Sequence, residues 1–83
     1  RMIVRHLDAW EPALQACGGS SAGRWLLTFD VRPTGQVARV ELRALDHPDP
    51  AVERCVSDRV RDWRFDPIAL TQPVSRTLRF PAR

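Results

Sequence analysis

The side chains that could do chemistry in this chain are few and widely separated. Two histidines, His6 and His47, lie far apart, and neither belongs to an HExxH motif or to a cluster of cysteine and histidine. A metal site needs three or four convergent ligands. We therefore expect surface or capping roles for both histidines, with no metal and no cofactor.

Two further groups of side chains deserve consideration as catalysts. Asp30 and Glu41 can approach each other across a hairpin, which would give a carboxylate pair, while Ser20 and Ser21 lie in a glycine-rich loop. Acid–base catalysis also requires a pocket and a perturbed pKa, which a chain this short rarely provides. The serines have no base nearby in sequence, and no lysine follows the loop to support a phosphate cradle. We expect an exposed polar pair, loop serines and no enzymatic activity.

Cys17 and Cys55 are the whole cysteine content of the chain. Their separation rules out a CxxC redox or zinc motif. Either they pair with each other or both are free and buried in a reducing compartment. Paired cysteines closing a loop of about 40 residues would add on the order of 4 kcal/mol and would favour an oxidising compartment.

Charge and composition describe a small domain with a solvated surface. The chain has 83 residues and a net charge of +3, and every cation is an arginine. Arginine and acidic residues alternate from Glu53 to Asp62, whereas a nucleic-acid interface needs clustered positive charge. No stretch approaches the roughly 20 apolar residues of a membrane span. The chain begins abruptly with Arg1 and Met2, as expected for a domain cut from a longer protein.

The stretch from Asp49 to Phe65 is predicted to be one amphipathic helix that runs into a buried aromatic pair, with the other elements packed around it. Asp49 can cap the first N–H groups, and Pro50 suits the first helical position. Apolar residues recur at spacings of three and four and share one helical face. They are Val52, Cys55, Val56, Val60 and Trp63. This apolar face is expected to pack against a β-sheet.

Residues 2 to 17 show the same spacing and are predicted to form a first helix that ends at Gly18 and Gly19. Its apolar positions are Ile3, Leu7, Trp10, Leu14 and Cys17. Pro12 lies within it, and proline costs roughly 3 kcal/mol in a helix interior. We expect a kink near Trp10, or two short helices with Pro12 in the first turn of the second. Residues 18 to 23 are expected to form a flexible loop.

A hairpin of two strands is predicted next. Apolar residues alternate from Arg24 to Val31, as on a strand with one face on a core. Pro33 and Gly35 favour a tight turn. The returning strand runs from residue 36 to about residue 45, but its later apolar positions are out of phase with Val37. A β-bulge near Ala38 would restore the phase. The later positions are Val40, Leu42 and Ala44.

After an irregular crossing at residues 66 to 73, a last strand is predicted from Val74 to Phe80. Arg76 falls on its inward face, and an inward charge is a known protection for an edge strand. The order helix, strand, strand, helix, strand predicts an α+β fold, with one small antiparallel three-stranded sheet packed against two helices in a single domain, residues 1–83. The predicted core comprises Trp25, Phe29, Val40, Leu42, Val56, Val60, Trp63 and Phe65.

The hairpin WLLTFDVRPTGQVARVEL, the helix after it, the tripeptide WRF and the closing strand PVSRTLRF together resemble the TonB C-terminal domain family. More narrowly, the chain is similar to the form found at the C-termini of gliding-motility and related proteins of the AgmX/PglI type. The narrower likeness rests on Cys17 at the end of the first helix and on Cys55, eight residues before Trp63. It covers Ile3 to Phe80 and implies a disulfide between the two cysteines.

The resemblance implies a non-enzymatic periplasmic module of a larger protein that is anchored in the inner membrane through a segment outside this sequence. Such a module transmits energy or force to an outer-membrane or periplasmic protein. The partner's extended segment would add to the edge of the last strand, because an edge strand offers unpaired backbone groups. The implied binding residues are Val74, Ser75, Arg76, Thr77, Leu78 and Arg79.

Two other functions remain open from the sequence. In the first, the same edge strand pairs with a second copy of the chain and makes a homodimer. In the second, a small arginine-rich domain binds RNA, which would need aromatic side chains on the outward face of the sheet. Leu26, Thr28 and Asp30 occupy that face and stack poorly, so no nucleic-acid partner is expected.

Overall fold

The structure, a computed structural model, describes residues 2–18 and 22–81. Within these ranges the chain forms two α-helices, a short 3-10 helix and three strands. They are α1 (Met2–Leu14), the 3-10 helix (Gln15–Gly18), β1 (Gly23–Val31), β2 (Val37–Ala44), α2 (Pro50–Arg61) and β3 (Gln72–Phe80). The strands form one antiparallel sheet in the order β2-β1-β3. The predicted α+β fold with this element order is confirmed.

The hairpin of β1 and β2 contains the β-bulge that the sequence predicts. Trp25 pairs with Ala44 and Val31 pairs with Val37, but the register shifts between Thr28 and Asp30. At the shift, Arg39 has a φ of 56°, the left-handed conformation found in one class of bulge. The extra residue brings Leu42 back to the face that Val37 occupies, and both are buried.

Helix α2 begins as predicted and ends earlier than predicted. The Asp49 side chain accepts hydrogen bonds from the N–H groups of Ala51 and Val52, at 3.1 and 3.3 Å, and Pro50 takes the first helical position. The predicted place of Trp63 on the helical stripe is wrong, because the helix stops at Arg61. The Phe65 N–H donates to the carbonyl of Gly35 at 2.9 Å, and this pairing pulls the chain out of the helix. Trp63 therefore lies beyond the helical face on which it was placed.

Helix α1 is continuous through Pro12 and reaches Leu14. Of the two alternatives for this region, two separate helices with Pro12 opening the second is wrong. Proline removes one intrahelical donor, and three residues after it the chain tightens into the 3-10 helix. Gly19, Ser20 and Ser21 lie outside the described residues, and with them the middle of the predicted 18 to 23 loop. Of that loop, Gly18 ends the 3-10 helix and Gly23 begins β1.

The core lies between the two helices and one face of the sheet. Among the predicted core residues, Val40 and Trp63 are partly buried and pack against the core, and the others are buried. The buried ones are Trp25, Phe29, Leu42, Val56, Val60 and Phe65. Leu7 and Leu14 add the contribution of α1. In the part of the chain described, no helix is both long and apolar enough to cross a membrane.

Candidate partner-binding edge

Strand β3 forms one edge of the sheet, since β1 is its neighbour on one side and no strand of the described residues lies on the other. Its pairing with β1 is regular from Gly23 opposite Phe80 to Val31 opposite Gln72. The alternation of side chains follows this register. Leu78 and Phe80 are buried against the helices, while Ser75, Thr77 and Arg79 are exposed.

The direction of each backbone group on β3 follows from the hydrogen bonds of Arg24. The Arg24 N–H donates to Asp46 at 2.7 Å and its carbonyl accepts from Leu45 at 2.9 Å, so both groups point toward β2. Arg79 lies opposite Arg24, and in an antiparallel pair it must then point its own groups away from β1. Since the register has no shift, Thr77 and Ser75 also point their N–H and C=O groups outward.

This alternation divides the six predicted partner-binding residues into two sets. Ser75, Thr77 and Arg79 present backbone groups to the outside, whereas Val74, Arg76 and Leu78 use theirs in the ladder with β1. A strand added here would therefore hydrogen-bond only to the first set.

Both ends of the β3 edge are closed. Pro73 also lies at an outward position, where its missing N–H costs the β1 ladder nothing and denies a donor to any added strand. At the other end, Gln15 Nε2 donates to the carbonyl of Arg79 at 3.1 Å. Only Ser75 and Thr77 retain both outward groups without a hydrogen-bond partner among the described residues. We call these two residues the open window.

Arg76 fastens α1 to the inner side of β3. Its Nη2 donates to Asp8 at 2.7 Å and its Nε donates to Glu11 at 2.8 Å. The hydrogen bond to Asp8 is the main cause that raises the pKa of Arg76 above its usual value. The inward positive charge predicted for this edge strand is therefore present, and two carboxylates of α1 neutralise it.

Strand β2 forms the opposite edge, which is less regular than β3 and has neighbouring segments at its start and along its length. Just before β2, Gln36 forms an isolated β-bridge with Arg64, and the Phe65 N–H donates to the carbonyl of Gly35. The bulge at Arg39 interrupts its middle. Helix α2 packs along the remainder. By the same alternation, Leu42 and Ala44 turn their backbone groups away from β1, so this side offers an added strand only the short stretch of regular register after the bulge.

The open face of the sheet carries Leu26, Thr28 and Asp30, and all six tryptophan and phenylalanine side chains of the chain lie elsewhere. Asp30 and Glu41 line the same shallow depression of about 480 Å³ on this face. Asp30 lies 3.8 Å from the guanidinium of Arg39, and its strand partner is Ala38. The two carboxylates thus line an open depression, where the Asp30 side chain is 26% exposed.

The end of β2 is joined to β1 by an ion pair. Asp46 accepts from the backbone N–H of Arg24, and its other oxygen accepts from Arg24 Nη2 at 3.0 Å. Hydrogen bonding to the Arg24 side chain lowers the pKa of the Asp46 carboxyl below its usual value. The pair is exposed on the opposite side of β1 from β3.

The two histidines differ in environment. His47 is exposed, but His6 is partly buried, stacked on Trp10 with ring centroids 4.8 Å apart and edge-on to Phe65 at 5.5 Å. The predicted surface or capping role is wrong for His6, because it belongs to an aromatic cluster that joins α1 to the segment after α2. Within the described ranges, no three His, Cys, Asp or Glu side chains converge as metal ligands.

Cys17 and Cys55 lie at disulfide-bonding distance, with their Cα atoms 5.6 Å apart. Cys17 belongs to the 3-10 helix and Cys55 to α2. The link thus connects the end of α1, which flanks β3, to the helix that packs along β2.

Sequence reasoning missed the contribution of α1 to the β3 edge. Asp8, Glu11 and Gln15 are spaced by three and four residues, which places them on one helical face. That spacing is a visible signal of a polar stripe. It does not reveal which strand the stripe meets.

Comparison with known proteins adds no relative, since no protein-family model, curated protein or solved structure matches this chain. Arguments about function therefore rest on the residues and geometry described above.

Proposed function

We propose that this chain is a non-enzymatic interaction domain of the TonB type, working in the periplasm as part of a larger protein anchored in the inner membrane. It binds an extended segment of an outer-membrane or periplasmic protein by strand addition at β3 and transmits energy or force to it, as in gliding-motility transducers. The observation that carries the proposal is the open window, where Ser75 and Thr77 turn unpaired backbone groups outward.

Three further features support the proposal. The cysteine pair suits an oxidising compartment such as the periplasm. The described surface carries open grooves beside β3 and beside α2, the kind of shape that an extended segment can lie against. The order of elements also agrees with the fold that the resemblance implies.

Binding can be tested with a display library of random seven-residue segments selected on the purified domain. We expect the selected segments to shift the backbone amide signals of Ser75 and Thr77 in NMR titrations. Thr77→Pro removes the outward N–H alone, since that group takes no part in the β1 ladder, and should abolish binding. Thr77→Val keeps the N–H and is the matched control, which should bind normally.

A different pattern of shift changes would contradict strand addition. Selected segments whose shift changes are confined to the helices, and which bind Thr77→Pro as well as the natural chain, would exclude β3 as the site.

A further inference from the structure

Charged and polar side chains next to β3 determine which residues the proposed binding site can accept. Three side chains of α1 and the 3-10 helix that follows it reach β3: Asp8 and Glu11 bind Arg76, and Gln15 donates to the carbonyl of Arg79. We call Asp8, Glu11 and Gln15 the α1 rim. A strand added to β3 would carry every second side chain along this rim, because alternate residues share one face of a sheet.

The rim carries an excess of negative charge. Two carboxylates face one guanidinium, so Asp8, Glu11 and Arg76 together have a net charge of −1. The Asp8 side chain is 61% exposed even though it is bound to Arg76, so a second cation can reach it. A side chain placed opposite Arg76 on this inner face would therefore meet a carboxylate that is still accessible.

The outer face has the opposite sign at the same end of β3. Arg79 is exposed and makes no ion pair with the described residues, and its neighbour across the ladder, Arg24, is already neutralised by Asp46. An outer side chain placed opposite Arg79 would meet this unpaired guanidinium. Charged residues directly opposite each other on a sheet favour opposite signs.

We propose that the β3 edge is selective for an extended segment with a basic residue on the inner face, opposite Arg76, and an acidic residue on the outer face, opposite Arg79. This inference rests on the proposed function and names the chemistry of its partner. A second copy of this chain fits less well. In the two-fold register that uses both open windows, the Arg76 of the second copy is already bound by its own Asp8 and Glu11, and Pro73 rather than an acidic residue lies opposite Arg79.

The test uses capped five-residue peptides. Asp-Val-Thr-Lys-Thr places lysine opposite Arg76 and aspartate opposite Arg79 in an antiparallel arrangement, and the reversed sequence does so in a parallel one. We expect one of the two to bind about tenfold more tightly than its Lys→Glu version at low salt, with the difference shrinking as salt rises. Fluorescence anisotropy of labelled peptides measures both constants.

Protein variants identify the source of the preference. Asp8→Asn should reduce the ratio between the lysine and glutamate peptides toward one. Asp58→Asn makes the same charge change on α2, where Asp58 pairs with Arg61, and should leave the ratio unchanged. Circular dichroism of each variant checks that α1 remains folded, and the salt dependence of the natural chain tests the preference without any substitution.

Each alternative outcome separates this inference from the proposed function. Equal binding of the lysine and glutamate peptides, or no binding by either, would overturn the charge preference. Library segments that still shift Ser75 and Thr77 would then leave strand addition intact. Lysine-selective binding that shifts only the helices would instead overturn strand addition. Concentration-dependent dimers that Thr77→Pro disrupts, with no peptide binding, would replace the partner by a second copy.

Discussion

The two edges of the sheet are closed by different kinds of interaction. The β2 edge is covered by backbone: the segment after α2 pairs with its start, and a bulge interrupts its middle. The β3 edge is closed only at its ends, by Pro73 and by the side chain of Gln15. Backbone pairing buries an edge permanently, whereas a single side-chain hydrogen bond on an exposed edge exchanges readily with another donor. The β3 edge therefore has the longer unbroken register of the two.

The disulfide is expected to have the largest effect, chiefly on the β3 side, because it ties the end of α1 to α2. Replacing Cys17 and Cys55 together by serine should lower the free energy of unfolding by on the order of 4 kcal/mol. Urea denaturation of the two proteins measures the loss. Hydrogen exchange should show that the amides of α1 lose more protection than those of α2, and equal loss in both helices would contradict the idea that the link chiefly secures the β3 side.

Gly35 is the point where the β2 edge is most tightly closed. Its φ is 89°, and a Cβ added there would collide with the carbonyl oxygen of Phe65. Gly35→Ala should therefore lower the free energy of unfolding by about 3 kcal/mol, from backbone strain and overpacking. Ser75→Ala is the matched change on the β3 edge and should stay within about 0.5 kcal/mol of the natural chain. Similar losses at the two positions would remove the contrast between the edges.

Arg76 tests the polar fastening of β3. The Arg76 side chain is 27% exposed, and Arg76→Ala would leave Asp8 and Glu11 without their cation. We expect the free energy of unfolding to fall by about 1 kcal/mol, as for a partly exposed ion-pair network. Arg79→Ala, which breaks no ion pair of the described residues, should change stability by less than about 0.5 kcal/mol. Thermal denaturation of both variants provides the comparison.

Gln15→Ala should have a small effect on stability, within about 0.5 kcal/mol, because it removes one exposed hydrogen bond. The variant is informative because it removes the group that closes one end of the β3 edge. The carbonyl of Arg79 would become free, and its carbonyl ¹³C shift should move accordingly. Gln36→Ala is the control on the β2 side and should leave the Arg79 signal unchanged. An unmoved signal in both variants would show that Gln15 does not close this end of β3.

The smallest expected effect concerns the ion pair between Arg24 and Asp46, and it appears only in acid. The pKa of Asp46 is lowered in the folded chain, so its contribution to stability is complete above its ordinary pKa of 3.8 and is lost as the pH falls below that value. The stability difference between the natural chain and Asp46→Asn should therefore shrink below about pH 4. Arg24→Gln should reproduce the same profile, measured by urea denaturation at each pH.

Local patterns in the sequence predicted the features that depend on neighbours in the chain. The cap at Asp49 and Pro50 requires only the first turn of α2. The bulge follows from the phase of Val40 relative to Val37, since a strand cannot bury both without an extra residue. The inward position of Arg76 follows from simple alternation along β3.

Features that depend on distant residues were beyond sequence reasoning. The end of α2 at Arg61 is set by a hydrogen bond from Phe65 to Gly35, about 30 residues earlier in the chain. The partly buried position of His6 depends on Trp10 and Phe65 meeting in space. The polar stripe of α1 was visible, but its contact with β3 joins residues at opposite ends of the chain.

The shortness of the open window has a consequence for attachment. A segment held at Ser75 and Thr77 gains only a few backbone hydrogen bonds, each worth a net of about 1 kcal/mol. One segment alone would then bind weakly and exchange rapidly, since affinity among related complexes is set mostly by the dissociation rate. Durable attachment to a partner would require several such domains or several segments on one assembly, where tethering raises the effective concentration of each contact. If force were shared among several such contacts, the assembly would detach by dissociation of one contact after another.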